Sequence, residues 1–137
     1  MAYSLFSHLS EDAHLKWLNE FHRIIKPNGL IFLTIRQKKF LENIEDMIIY
    51  DDPVYNYARK LKNTFINDEI KIQYDEGYYI FVPTDSGIGL TNDFYGDSVI
   101  PDKYIYRVWS EYFDIVEHYD DPQKLPHAFI CLRKRKK

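Results

Sequence analysis

The stretch Leu30–Ile35 (LIFLTI) constrains this chain most, because six consecutive residues are apolar or β-branched. A strand with one wet face alternates apolar and polar side chains, and this run does not. It reads as a strand buried on both faces, the pattern of a central parallel strand. Immediately before it, Lys26, Pro27, Asn28 and Gly29 make a compact stop-and-turn signal. Before that runs an amphipathic segment opened by Ser10. Helix, tight turn and core strand together form one half of a βαβ crossover. A buried strand of this kind needs a partner on both edges, so the first question is whether the remaining residues supply them.

The chain has 137 residues, which sets a ceiling of one ordinary domain, residues 1–137. Hydrophobic residues at 45% and charged residues at 28% are a globular balance that excludes a disordered chain. With 12 Tyr and 9 Phe, aromatic side chains are expected on the surface as well as in the core. A net charge of −3 does not steer the chain toward nucleic acid. The one strong charge run, Arg133 to Lys137, reads as a solvated tail, with a nucleic-acid or anionic-membrane contact as the alternative. A lone cysteine, Cys131, excludes an internal disulfide framework and fits a reducing compartment. No stretch approaches the roughly 20 apolar residues of a spanning helix, and the N-terminus lacks a basic-then-apolar signal pattern. The expectation is a soluble, cytoplasmic protein with neither membrane nor nucleic acid as partner.

Residues 1–9 read as the end of a strand and its exit loop. Ser10 is a good N-cap, and Glu11 and Asp12 fall where a helix dipole favours acids. Leu15, Leu18, Phe21 and Ile25 follow at helical spacing, widened by Trp17 and Ile24. This helix should end near Lys26, before Pro27. Helices are expected over 37–50 and 54–65, separated by Asp51, Asp52 and Pro53. Residues 68–74 stay ambiguous, since Ile70 and Ile72 alternate like a strand in a short charged segment. A strand is expected over 78–82, a loop over 84–96, a helix from the first turn at Pro101 to about Phe113, and strands over 113–119 and 128–132. No helix separates the last two strands, so they should be antiparallel neighbours.

The order of these phrases resembles the second half of class I S-adenosylmethionine-dependent methyltransferases. Phe6, Ser7, His8 and Leu9 stand where that family has its F-x-H-L phrase after the fourth strand. Lys26, Pro27, Asn28 and Gly29 stand for its L-K-P-G-G, with Asn28 in place of a glycine, and the fifth strand follows at once. Residues 78–83, Phe94 to Gly96, Ile100, Pro101, Trp109, Phe113, Asp114, Asp120 and Asp121 resemble a bacterial branch with a helical and loop insertion at about 37–100. That branch tends to carry Gln where this chain has His127. The resemblance implies an α/β fold: part of a Rossmann-like domain, with a small mixed sheet, an antiparallel last strand and helices on both faces. It implies S-adenosylmethionine as cofactor. The family holds that cofactor with a glycine-rich loop after the first strand and an acidic residue ending the second, and these 137 residues begin after the fourth. Asp85, Gly87 and Gly89 imitate the loop's D-x-G-x-G, but no amphipathic helix follows them and the order of elements is wrong.

From the resemblance come the candidate residues. His8, on the loop leaving the fourth strand, is the catalytic candidate, because ligands of such sheets bind at the carboxyl ends of strands and a histidine there can take a proton. Its alternative is to bond the start of the following helix. Tyr3, Ser4 and Phe6 would face the cofactor. Arg36, just past the central strand, meets either an anionic substrate or a nearby carboxylate. Tyr79 and Tyr95, with Tyr78 and Phe94, line an acceptor pocket or pack the insertion onto the sheet. His14 and His22 lie eight residues apart, too far for shared metal ligation, so no metal is implied. In the family's sheet order the last strand lies between the fifth and sixth, leaving one edge of Leu30–Ile35 bare. Such an edge templates aggregation, so it is expected to be covered: by a second copy in a homodimer, by Met1–Leu5, or by a complementary cofactor-binding half. Two functions stand side by side. One is a methyltransferase half, inactive alone, acting on an unnamed acceptor. The other is a non-catalytic remnant serving as an interaction or assembly module.

Overall fold

A computed structural model describes residues 1–46, 56–84 and 89–135. The elements run α1 (Glu11–Ile24), β1 (Leu30–Ile35), α2 (Lys38–Glu45), α3 (Asn56–Phe65), α4 (Asp68–Glu76), β2 (Ile80–Val82), β3 (Asp97–Val99), α5 (Asp102–Val108), a 3-10 turn (Trp109–Glu111), β4 (Phe113–Tyr119) and β5 (Ala128–Lys134). Among the described residues the architecture is α/β, with five helices and two small antiparallel sheets. Ser10 caps α1 as its side chain accepts from the Ala13 amide. Asn28 takes the left-handed geometry (φ 64°) that a glycine would otherwise supply. The other end of α1 is closed from far away: Lys134 Nζ donates to the carbonyls of His22 and Ile25, a cation where the helix dipole favours one. Arg135 bonds Asp114 at 2.6 Å. The start of the basic run is therefore part of the fold, and β5 extends two residues further than expected.

The larger sheet has the order β1-β5-β4, with β5 antiparallel to both neighbours. Its core face sets Ile31, Leu33, Ile35, Ile130 and Leu132 against Leu18 of α1 and Ile105 of α5, together with Trp109, all nearly without solvent contact. Burying each such aliphatic side chain stabilises by about 1.5–3 kcal/mol, which fixes β1 and α1 relative to each other. The opposite face corrects two expectations. Leu30 and Phe32 are 46% and 36% exposed, so β1 is not buried on both faces, and α1 and α5 both pack on the same side. The sheet is also not mixed, because its named strands are all antiparallel. One parallel contact remains: Ala2 bridges Leu33 along the outer edge of β1, with Ala2 N donating to Phe32 O at 2.9 Å and Thr34 N to Ala2 O at 3.2 Å. Of the three ways to cover this edge, pairing by the first residues is present at one position.

The second layer is the β2-β3 pair with α2, α3 and α4, which close a separate cluster of Leu41, Ile44, Leu61, Phe65, Ile80 and Val99. Residues 68–76 are helical despite the alternation of Ile70 and Ile72. Asn67 caps α4 by accepting from Glu69 N, and Gly77 ends it in the left-handed region (φ 86°). A Cβ at Gly77 would sit 2.7 Å from Lys103 Cβ. Gly77→Ala is therefore expected to destabilise the protein by about 1–3 kcal/mol, measured by urea unfolding; an unchanged midpoint would refute the geometry of this helix end. Strand β3 falls where only loop and the approach to Pro101 were expected, and Pro101 is the N-cap of α5 rather than its first residue. The expected break at residues 51–53 and the Asp85–Ile88 part of the D-x-G-x-G imitation lie outside the described residues.

Candidate functional site

Backbone bonds bring distant segments together at the carboxyl end of β1. Ser4 adopts a left-handed turn (φ 56°), and the Ser4 and Ser7 hydroxyls bond each other at 2.9 Å. This turn sends Phe6 inward and His8 outward. Residues 7–10 are then laced to 94–98: Gly96 N donates to His8 O, Ser98 N to Ser7 O and Ser10 N to Phe94 O, each at 2.9 Å. Ile100 N donates to Arg36 O at 3.0 Å, which seats β3 at the end of β1.

Asp97, the first residue of β3, is wholly buried. Its Oδ1 accepts from the Arg36 guanidinium and from Tyr57 OH of α3, the latter at 2.5 Å, and its Oδ2 accepts from the Thr84 hydroxyl. His8 Nδ1 lies 2.8 Å from Gly96 O and 3.3 Å from Asp97 Oδ1. A carbonyl can only accept, so Nδ1 carries the proton of the neutral ring. Nε2 is then a lone pair with no partner among the described residues. Burial, the largest influence, lowers the His8 pKa from 6.5, and the Arg36 charge adds to this against the Gly96 bond and Asp97. At neutral pH the ring is uncharged and Nε2 accepts protons. The Tyr95 ring lies almost parallel to it, 5.3 Å away at 6°. Burial first, and then its bond to Asp97, push the Tyr57 hydroxyl up to about 12, so Tyr57 acts as a donor. Arg36 also donates to Ser7 O at 3.2 Å and stacks over Phe40 at 4.8 Å. The guanidinium is thus spent on a carboxylate of its own chain.

Comparison of the chain with protein-family models, with curated proteins and with solved structures finds no match. The assignment of the site rests on its own geometry.

Of the residues singled out from the sequence, His8, Arg36 and Tyr95 are brought together. Tyr3 stands beside them at the strand mouth, half exposed, with its ring edge-on to His127 at 5.5 Å. Ser4 is committed to the turn, its amide donating to Thr34 Oγ1 at 2.7 Å. Phe6 is 1% exposed and packs on Trp109 and His14, so it is a core residue facing no cofactor. Tyr79 packs away from His8: its hydroxyl donates to Leu9 O at 2.8 Å and its ring stacks on His14 at 4.5 Å. The charged and polar centre of the site, Asp97 with Tyr57 and Thr84, was not found from the sequence, where Asp97 looks like one more acid in a Gly- and Asp-containing loop. His127 stands out in the sequence only as the position where the resembling branch carries Gln, yet its Nδ1 is the one buried side-chain polar atom without a partner among the described residues. No group of three or more His, Cys, Asp or Glu among these residues has the arrangement of a metal site, and no described helix is long and apolar enough to cross a membrane.

Proposed function

We propose that this chain is the second half of a class I S-adenosylmethionine-dependent methyltransferase domain, inactive by itself, and that a cofactor-binding half adds along the β1 edge beyond Ala2. The observation that carries this reading is the strand order. An antiparallel last strand lies between β1 and β4, and a parallel contact sits on the outer edge of β1 at Ala2. That is the order the sequence resemblance implies. The exposed Leu30 and Phe32 supply an apolar face for the added half.

The residues present do not fit the cofactor by themselves. Phe6 is sealed in the core and Ser4 is held by Thr34 and Ser7, and among the described residues no glycine-lined cradle precedes a helix. No step is therefore derived through it. This chain's own part is His8, whose neutral ring is fixed at Nδ1 by Gly96 and offers Nε2 as proton acceptor at the strand mouth, with Tyr95 as its platform.

Titration calorimetry with S-adenosylmethionine and its demethylated product tests the reading, on the chain alone and co-expressed with a cofactor-binding half that carries the glycine-rich loop and the acidic residue of this family. The expected result is no saturable heat for the chain alone and saturable micromolar binding for the pair. Micromolar binding by the chain alone would refute the missing half. A folded pair that binds neither compound would refute the methyltransferase reading in favour of a non-catalytic assembly module.

A further inference from the structure

The turn between α1 and β1 places a chemically labile pair at the surface. Asn28–Gly29 is the one Asn-Gly step in the sequence, and the other six asparagines precede residues that carry a side chain. Geometry sets both positions. Asn28 has φ 64°, a conformation that glycine and asparagine adopt most readily. A Cβ at Gly29 would lie 2.5 Å from Ile25 Cγ2 and 2.8 Å from Lys26 O, so only glycine fits there. Asn28 is exposed, and its carboxamide has no partner among the described residues.

An Asn-Gly step can modify itself. The Gly29 amide nitrogen loses its proton and attacks Asn28 Cγ, a position that a side chain on residue 29 would hinder. The N–Cγ bond forms, the Cγ–Nδ2 bond breaks, and the amide nitrogen leaves as ammonia with the displaced proton. Water then opens the cyclic imide. Attack at Cγ gives aspartate, and attack at the main-chain carbonyl gives isoaspartate, in which the chain runs through Cβ and Cγ. Nothing is oxidised or reduced, and water is the only co-reactant.

The folded turn opposes the first step. Gly29 N donates to Lys26 O at 2.8 Å. With Pro27 in second place and a positive φ in third, the turn has the type II form. Gly29 N then lies about 120° around the Asn28 Cα–C bond from the position, eclipsed with Cβ, that ring closure needs. Reaching that position breaks the bond to Lys26. It also disturbs the pair made with the end of β5, in which Asn28 N donates to Lys134 O at 2.9 Å and Lys134 N to Gly29 O at 3.0 Å. Lys134 Nζ holds the neighbouring Ile25 O at 2.9 Å.

We propose that Asn28 is a site of spontaneous deamidation, gated by release of Lys134 from the α1–β1 turn, and that its isoaspartate product keeps the end of β5 detached. The extra main-chain carbon shifts Gly29 O relative to the amide of residue 28, so the two bonds to Lys134 are not made together. The proposal is independent of the methyltransferase reading.

Peptide mapping by mass spectrometry tests it, on the 137-residue chain incubated at mildly alkaline pH, folded and in guanidinium chloride. Reaction proceeds from the open turn, so the folded chain should deamidate at Asn28 at least roughly tenfold more slowly than the unfolded chain. Lys134→Met removes the Nζ bonds but keeps the backbone, and should speed the reaction of the folded chain severalfold. Asn28→Gly keeps the turn and should abolish the acid product at this position. In the isoaspartate form the Lys134 amide should lose its protection from hydrogen exchange while the Ile130 amide keeps it. Equal rates in the folded and unfolded wild-type chain, no reaction at Asn28 when unfolded, or a Lys134 amide still protected in the isoaspartate form would each overturn the proposal. None of these three requires a variant to fold. A folded Lys134→Met chain reacting no faster than wild type would overturn the gating by Lys134.

Discussion

Asp97→Ala is expected to destabilise this protein by about 3–5 kcal/mol, the largest effect of any single polar substitution considered for this fold. The carboxylate is wholly buried and accepts from three segments, Arg36 after β1, Tyr57 on α3 and Thr84 after β2, with His8 Nδ1 3.3 Å away. Its removal leaves a guanidinium that is 9% exposed without its counter-charge, and two hydroxyls lose their acceptor. Stranding a buried charge costs more than forming the pair contributes, because desolvation has already been incurred. The asymmetry gives a sharper test than the single variant. Replacing Arg36 by Met together with Asp97 by Leu should be less damaging than Asp97→Ala, since no charge is left alone. Urea unfolding of both variants measures this. A loss below about 1 kcal/mol in Asp97→Ala, or a double variant worse than the single, would mean that Asp97 does not hold these segments together.

The second large effect is a loss of stability in acid, carried by His14. This residue has no solvent exposure and lies between the Glu11 carbonyl, 2.7 Å from Nδ1, and the Trp109 indole N–H, which donates to Nε2 at 3.2 Å. Both contacts require the neutral ring with its proton on Nδ1. Burial, partly opposed by the Glu11 bond, lowers the His14 pKa from 6.5 to about 4. The unfolded chain therefore binds a proton near pH 6.5 that the folded chain refuses until about pH 4. Between those values the unfolded state holds more protons, so stability falls as pH falls. The stabilisation is complete above pH 6.5 and amounts to about 2–3 kcal/mol lost by pH 4.5. His14→Gln cannot titrate, and its loss between pH 7 and pH 4.5 should be smaller than the wild-type loss by that amount. Equal losses in the two proteins would show that His14 is not buried as a neutral base.

The parts legible in the sequence are those whose signal is local. The cap at Ser10 and the spacing of Leu15, Leu18 and Phe21 specify α1, and the runs at 30–35, 113–119 and 128–132 specify three strands. The absence of a helix between the last two made them antiparallel neighbours, as observed. Where a local pattern competed with a cap, the cap won: Ile70 and Ile72 alternate, but Asn67 and Gly77 close a helix around them. Strand β3 has three residues and no pattern of its own. It exists because Ser7, Arg36 and β2 offer it backbone partners.

The site divides in the same way. His8, Arg36 and Tyr95 were visible as chemistry-bearing residues near a strand end, but not their relations to one another. Local residue patterns are enough to specify the strands of the larger sheet, α1 and the residue types available at the mouth of β1. That Asp97, 61 residues from Arg36 and 40 from Tyr57, is the centre of the cluster follows only from how the segments pack. A carboxylate in a loop is ordinarily solvated, and it becomes a buried hub only when folding brings several donors to it at once. The tertiary structure likewise decided that Leu30 and Phe32 stay open to solvent. An apolar run records that a strand favours burial on both faces, while the covering of each face depends on which elements pack there.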